Sequence, residues 1–143
     1  MSAPRRLRAV NLNQVALPAL DVAASVAFYR RFGAAAGIVQ IVDAPHYARF
    51  ECSEGGATFS LHLAEHVAPQ GAIVYFEVRE LDATVAALQS AGIAFTQLPR
   101  DEPWLWREAR LRDPSGNELC LYWAGENRRH PPWRLHEAPA PQR

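Results

Sequence analysis

Apolar residues recur along the chain with two different periods, and the two patterns take turns. Residues 9–17 alternate in the way typical of a β-strand, and Pro18 and Ala19 are predicted to break it. Asp21 then suits the N-cap of a helix, and an apolar stripe with helical spacing runs from there to Gly33, which is predicted to end the helix. The chain therefore begins with a strand, a turn and an amphipathic helix.

Short strand-like runs and a second helix follow. Turn-forming segments separate three such runs, at residues 37–42, 46–52 and 57–63. A further strand is predicted at residues 72–78, and a helix at residues 81–91 that ends at Gly92. The remaining strand-like runs lie at residues 93–98, 104–112 and 118–123.

The order of elements repeats itself. When the sequence is shifted along itself to align Asp21 with Glu80, Val26 aligns with Val85. Gly33 then aligns with Gly92, so the two predicted helix ends coincide. A match of this kind over a strand and a helix indicates internal duplication. The pattern thus predicts a βαβββ unit that occurs twice.

A strong reversal signal stands before the last predicted strand. It is Asp113-Pro114-Ser115-Gly116-Asn117, in which Pro114 pre-sets φ and Gly116 tolerates positive φ, and it predicts a hairpin. This turn and strand resemble the last hairpin of the vicinal oxygen chelate superfamily, the glyoxalase, bleomycin-resistance and extradiol dioxygenase group. With the duplicated unit, the resemblance extends over about residues 9–123.

The resemblance implies an α+β fold in which two βαβββ modules form a cupped mixed sheet with the helices outside. A ligand or a metal ion is then expected in the cup. We expect one domain over residues 1–143, with module one at about 9–63, module two at about 72–123 and an extended C-terminal arm at 124–143. The arm contains Pro131, Pro132 and Trp133, and its sequence is similar to tails of other glyoxalase-like proteins.

Composition narrows the class of protein. The chain has 143 residues, of which 49% are hydrophobic and 21% charged, as in a globular domain. Its 15 basic and 15 acidic residues give no net charge. Arg5, Arg6 and Arg8 are followed by no apolar segment of membrane-spanning length. We therefore expect a cytoplasmic protein that binds neither nucleic acid nor membrane. Cys52 and Cys120 are expected to be free thiols.

Period-two geometry selects the side chains that face the cup. If the leucines of each strand pack on the helices, their neighbours point the other way. Those neighbours are Ser60, His62, Ile73, Tyr75, Glu77, Trp104, Trp106, Glu108, Arg110, Glu118, Cys120 and Tyr122.

Two tryptophans stand out among them. Trp104 and Trp106 are two residues apart, so on one strand they would share a face beside Glu108 and form a wall for an aromatic or extended apolar ligand. The alternative is that one tryptophan packs on the C-terminal arm and the other fills the core. For Glu108, a salt bridge with Arg110 or Arg49 is the alternative to a role as general base.

Metal-dependent members of the superfamily place ligands on the first and last strands of each module. Carried over to this sequence, those positions fall on Gln14, His62, Ile73 and Cys120. Ile73 has no lone pair, and Cys120 would supply a soft thiolate where the family usually has a carboxylate. Gln14 could instead be a buried amide, and His62 could be hydrogen-bonded to a neighbour or to a bound ligand. The other four histidines are expected in solvent: His46, His66, His130 and His136.

Two functions are compatible with these sequence features. We favour a metal-independent protein, similar to the bleomycin-resistance branch, that binds a small organic molecule in the cup. The alternative is a lyase, isomerase or dioxygenase that uses a divalent metal held by Gln14, His62 and a third group such as Glu108 or Glu118. A homodimer is expected because many superfamily members associate. The predicted ligand-binding residues are Gln14, His62, Tyr75, Trp104, Trp106, Glu108, Cys120 and Tyr122, with Glu108 as the candidate catalytic residue.

Overall fold

The structure, a computed structural model, describes residues 10–135. These residues form two compact units that divide between Pro69 and Gln70, and each unit is described by itself. The elements of the first unit are β1 Gln14–Ala19, α1 Val22–Ala36, β2 Ile38–Ala44, β3 Tyr47–Cys52 and β4 Thr58–Leu63. Those of the second are β5 Ile73–Glu77, α2 Leu81–Ser90, β6 Gln97–Asp101, β7 Arg107–Arg112 and β8 Glu118–Trp123, followed by a short 3₁₀ helix, Gly125–Arg128. The predicted repetition of βαβββ is confirmed.

Each unit contains one four-stranded mixed sheet. The strand order is β1-β4-β3-β2 in the first unit and β5-β8-β7-β6 in the second. In both, the first strand pairs with the last strand in parallel, and the other pairs are antiparallel. The predicted α+β class, two mixed sheets each with one helix, is thus confirmed.

Aromatic side chains form the core of the first unit. Tyr29 and Phe32 of α1 are fully buried, and the Tyr29 ring lies 5.0 Å from that of Phe59 and 5.7 Å from that of Phe50. Phe50 and Phe59 stack on each other across β3 and β4. These two residues alternate along their strands with polar ones, so the opposite face of the sheet is polar.

The helix α1 begins where the sequence predicts and ends later. The Asp21 carboxylate accepts a hydrogen bond from the Ala24 N–H, which confirms the N-cap. Gly33 lies inside the helix, and the predicted end there is wrong. The helix stops at Gly37, whose φ of 75° is left-handed and whose N–H donates to the Gly33 carbonyl. Gly33 is needed for close packing, since a Cβ there would lie 2.3 Å from the Ile38 carbonyl oxygen.

The strand β1 contains the two residues predicted to break it. It runs through Pro18 and Ala19 and begins only at Gln14. Within the first unit β1 is an edge strand. An edge strand tolerates proline because the missing N–H can lie on the side without a neighbouring strand.

Leucines pack the helix of the second unit against its sheet. Leu81, Val85 and Leu88 of α2 are buried, and α2 lies against β6, β7 and β8. On the sheet, Ala109, Leu111, Leu119 and Leu121 are fully buried. The helix ends next to Gly92, whose φ is 88°, close to the predicted position.

The hairpin that connects β6 and β7 differs from the prediction. The predicted strands at 93–98 and 104–112 are shifted, because β6 starts at Gln97 and β7 at Arg107. Residues 102–106 form the intervening loop, in which the Leu105 N–H donates to the Glu102 carbonyl and Leu105 has a φ of 68°. Pro103 favours such a turn, so these residues form a loop although tryptophan prefers β-strands. Trp104 and Trp106 are therefore not strand residues.

The hairpin between β7 and β8 is confirmed. The buried Asp113 carboxylate accepts hydrogen bonds from the N–H groups of Ser115 and Asn117 and from the Asn117 amide, at 2.8 to 3.0 Å. Gly116 has a φ of 91°, as the predicted turn requires. The register of β8 is fixed by this turn, and with it the face on which each β8 side chain lies.

The C-terminal segment is not extended where it leaves β8. It forms the 3₁₀ helix at Gly125–Arg128, and the Asn127 carbonyl accepts a hydrogen bond of 3.3 Å from the Trp106 indole. Trp133 is 56% exposed. Arg5, Arg6, Arg8 and the end of the arm from His136 lie outside the described residues. None of the helices between residues 10 and 135 is long and apolar enough to span a bilayer.

Candidate functional site

The second unit carries a set of aromatic and charged side chains on the sheet face opposite the α2 leucines. Register places Cys120 between Tyr75 and Arg110, and Tyr122 beside Glu108. Residues that are paired in register point to the same side of a sheet. We call this set the aromatic face and define it as Tyr75, Trp104, Trp106, Glu108, Arg110, Glu118, Cys120 and Tyr122.

Three rings form a continuous apolar surface on this face. Trp106 stacks on Tyr122 with a centroid distance of 4.5 Å and an interplanar angle of 15°. Tyr75 stands edge-on to both rings, at 6.0 and 5.8 Å. Tyr122 is buried beneath, whereas Tyr75 is 44% exposed and Trp106 is half-buried. Tyr75 and Trp106 thus offer ring surface to a ligand, and Tyr122 holds Trp106 in place.

Glu108 is the ionic centre of the face, with only 2% of its side chain exposed. One carboxylate oxygen accepts from the Trp104 indole at 2.5 Å. The other accepts from Arg110 at 2.9 Å and from the Cys120 thiol at 3.7 Å. The salt bridge with Arg110, one of the two alternatives for Glu108, is therefore present. The carboxylate positions Trp104 and Arg110 rather than pointing an unused oxygen to solvent.

Arg110 connects Glu108 to Glu118. It contacts the Glu118 carboxylate at 3.4 Å, and its guanidinium carbon lies 5.9 Å from the Tyr75 ring centroid. Partial burial opposes the charge, but the hydrogen bond to Glu108 prevails and raises the pKa of Arg110 above its ordinary value. Burial, followed by the nearby Glu108, raises the pKa of Cys120 to about 12, so the thiol is neutral. Among the eight residues of the aromatic face, Glu108 and Glu118 are the two carboxylates and Arg110 is the one cation between them.

The two predicted site residues of the first unit do not come together. Gln14 is exposed and accepts a hydrogen bond from the Thr58 hydroxyl, so it is not the buried amide considered above. His62 is also exposed and pairs with Pro18 of β1, whereas Gln14 pairs with Thr58. His62 lies four positions after Thr58 on β4, which amounts to ~13 Å along the strand.

The donor set implied by the superfamily does not fit a metal ion in either unit. In the first unit, Gln14 and His62 are too far apart along the sheet to share one ion. In the second, Ile73 has no donor atom, and the neutral buried thiol of Cys120 is hydrogen-bonded to Glu108. Within residues 10–135, no group of three or more His, Cys, Asp or Glu side chains is placed to hold an ion.

The structure adds residues to the predicted ligand-binding set. Arg110 and Glu118 are predicted to face the cup, and the structure shows that both belong to the aromatic face. The period-two alternation of side chains along β7 and β8 indicates the position of both residues in the sequence. Tyr47 and Arg49 of β3 lie opposite His62 and Ser60, and this pairing could not be read before the register was known. The structure also has a cleft lined by Trp123 and the 3₁₀ helix and another beside α1, and no residue that lines either cleft is among the eight of the aromatic face.

The duplicated βαβββ unit with parallel first and last strands defines a class of fold, and the comparison with known families agrees with it. The model of the Glyoxalase/Bleomycin resistance protein/Dioxygenase superfamily matches residues 11–121. The chain belongs to this superfamily, which confirms the resemblance found in the sequence. Among curated proteins, none matches the sequence.

Solved structures share the fold at low sequence identity. A glyoxalase/bleomycin resistance protein/dioxygenase from Nocardioides is 23% identical, with a TM-score of 0.70 over 92% of this chain and 93% of its own. A bleomycin-binding protein complexed with bleomycin is 19% identical, with a TM-score of 0.65 over 80% of this chain and 98% of its own. A lactoylglutathione lyase from Agrobacterium tumefaciens is 20% identical, with a TM-score of 0.65 over 79% and 92%. At these identities the likeness establishes the fold alone.

Proposed function

We propose that the protein binds a small organic molecule with a planar ring on the aromatic face, and that binding needs no metal ion. The observation that carries this proposal is the partly exposed ring surface of Tyr75 and Trp106, with Arg110 and its partner Glu118 next to Tyr75 on the same face. Large aromatic side chains are normally covered in a folded chain, and an exposed group of them marks a binding site.

The charge of the face indicates which ring is bound. Among the described residues Glu118 accepts one hydrogen bond, a long one from Arg110, and 30% of its side chain is exposed. A carboxylate can accept about four hydrogen bonds, so Glu118 has acceptor capacity left for a ligand. With this acceptor capacity at Glu118 and electron-rich rings nearby, the face favours a ring that carries a cationic or hydrogen-bond-donating group.

The superfamily provides independent support. The solved structures that share the fold of this chain include a bleomycin-binding protein complexed with bleomycin and a lactoylglutathione lyase. For this chain the binding role is favoured, because Glu108 has both oxygens engaged and the donor set does not fit a metal. A metal-dependent lyase, isomerase or dioxygenase remains the alternative, with Glu108 as its candidate catalytic residue.

Three naphthalene probes with different charges test the proposal. We expect 2-naphthylmethylammonium to bind more tightly than 2-naphthalenemethanol, and 2-naphthoate to bind most weakly, by about tenfold or more between the two ionic probes. Isothermal titration calorimetry with and without a chelator measures this. Equal affinity for all three, or binding of the ammonium probe that is lost with chelator, would contradict the proposal.

We further propose that the protein is a cytoplasmic homodimer. Exposed apolar residues outside the aromatic face support self-association, among them Val39, Ile41, Leu98 and Trp133. Sedimentation velocity at micromolar concentration is expected to give about twice the 15.9 kDa of one chain. A sedimentation coefficient that fits the single chain at all concentrations would rule the dimer out.

A further inference from the structure

The polar sheet face of the first unit carries a second group of functional side chains. On β3 and β4, Tyr47 lies opposite His62, and Arg49 lies opposite Ser60. The Leu63 N–H donates to the His46 carbonyl, which makes the neighbouring 47–62 pair a non-hydrogen-bonded one. Pairs of this kind bring their side chains closest together. By the alternation of the ladder the same holds for the 49–60 pair, so four polar side chains share a small area.

Arg49 occupies the same register position in the sheet of the first unit as Arg110 does in the sheet of the second unit. Arg49 pairs with the third residue of β4, and Arg110 pairs with the third residue of β8. Their partners differ. Arg110 is neutralised by Glu108 and Glu118, whereas within residues 10–135 no ion pair joins Arg49 to a carboxylate.

Arg49 uses only part of its hydrogen-bonding capacity. Its Nε–H donates to the Tyr47 hydroxyl oxygen at 2.9 Å, and the guanidinium carbon lies 5.5 Å from the Tyr47 ring centroid. A guanidinium has five N–H donors, and within residues 10–135 no acceptor contacts the four on its two terminal nitrogens. Arg49 is half-buried, where a positive charge without a counter-ion is costly. A bound anion would remove that cost.

Tyr47 supplies a further donor. Its hydroxyl oxygen accepts the hydrogen bond from Arg49, so its own hydrogen is left to donate. The Arg49 hydrogen bond lowers the pKa of Tyr47, partial burial opposes this, and the Ser60 hydrogen bond adds to it. A more acidic hydroxyl is a stronger donor to an oxyanion.

We infer that Arg49 and Tyr47, flanked by Ser60 and His62, form a binding site for an oxyanion, either a carboxylate or a phosphate group. The planar guanidinium suits two parallel hydrogen bonds to either group, and the Tyr47 hydroxyl adds a third. Glu51 is the acidic side chain on the same face of β3. It is exposed, pairs with Thr58 at the far end of the ladder and makes no ion pair with Arg49 among the described residues.

A titration with inorganic phosphate and with acetate at constant ionic strength tests this inference on the full chain. Chemical shifts of ¹⁵N-labelled protein are expected to saturate, with the largest changes at Tyr47, Arg49 and their neighbours on β3 and β4. Arg49→Gln is expected to weaken binding by about tenfold or more, and Tyr47→Phe by several-fold, because each removes donors to the anion. A preference for phosphate would identify a phosphorylated ligand, and a preference for acetate a carboxylate.

Arg31→Gln is the matched control, since Arg31 is an exposed arginine of the same unit and its removal is expected to change affinity less than twofold. Shifts that do not saturate, or an equal affinity in Arg49→Gln and Arg31→Gln, would overturn the inference. If Arg49→Gln does not fold, Tyr47→Phe decides, because it removes only one hydroxyl. The naphthalene probes should bind Arg49→Gln unchanged, so this inference and the proposed function can fail separately.

Discussion

Glu108→Leu is expected to lower the free energy of unfolding by about 3 kcal/mol, the largest stability effect of a single side chain on the aromatic face. The substitution fills the space of the carboxylate with apolar atoms but leaves the Trp104 indole and one side of Arg110 without their acceptor. The loss lies at the lower end of the range for buried ion pairs, because Arg110 can still contact Glu118. Urea unfolding followed by circular dichroism measures it.

Asp82→Asn is the matched control for this experiment. It also breaks an ion pair to an arginine of β7, the 3.0 Å contact between Asp82 and Arg107, but there the side chains are 66% and 36% exposed. Exposed pairs contribute little, so the free energy of unfolding is expected to fall much less than in Glu108→Leu. Glu108→Gln keeps an acceptor for Trp104 without the charge and should fall between the two. Equal destabilisation in Glu108→Leu and Asp82→Asn would show that Glu108 does not organise the face.

Loss of ring surface is expected to have the largest effect on ligand binding. Trp104→Ala combined with Trp106→Ala should weaken binding of 2-naphthylmethylammonium by about 100-fold, because both indoles and the support from Trp106 to its neighbours are lost. Tyr75→Leu should weaken it about tenfold. The 44% exposed Tyr75 ring can be replaced with little effect on the fold, so this variant separates binding from stability.

Trp133→Ala serves as the control for the tryptophan variants, since Trp133 is exposed on the C-terminal segment and lies outside the aromatic face. Its affinity for the probe should stay within about twofold of the unaltered protein. Retention of full affinity in the double tryptophan variant would show that the aromatic face is not the ligand-binding site.

The fold could be predicted from the sequence because its signals are local and repeated. Asp21 as a helix cap and the Asp113 turn each depend on a few neighbouring residues, and the structure confirms both. The end of α1 could not be predicted in this way. Gly33 looks like a helix terminus, but it is a glycine because the Ile38 carbonyl approaches it closely, which is a tertiary requirement.

The candidate site could be predicted in part. Alternation correctly grouped Tyr75, Glu108, Cys120 and Tyr122, because strands β5, β7 and β8 are regular and in register. Trp104 and Trp106 reach the same face by a different route, through a loop whose conformation depends on Pro103 and on Leu105 with positive φ. The separation of Gln14 from His62 depends on the β1–β4 register, which no local pattern in the sequence specifies.

The indole N–H signals of ¹⁵N-labelled protein give the most direct test of the proposed ligand site. The chain has four tryptophans, Trp104, Trp106, Trp123 and Trp133, and single replacements by phenylalanine assign their four signals. On titration with 2-naphthylmethylammonium, the signals of Trp104 and Trp106 should shift and saturate together while that of Trp133 stays in place. The cleft beside the 3₁₀ helix is lined by Trp123 and not by the other three. A shift of the Trp123 signal with those of Trp104 and Trp106 unmoved would place the ligand in that cleft and contradict the account.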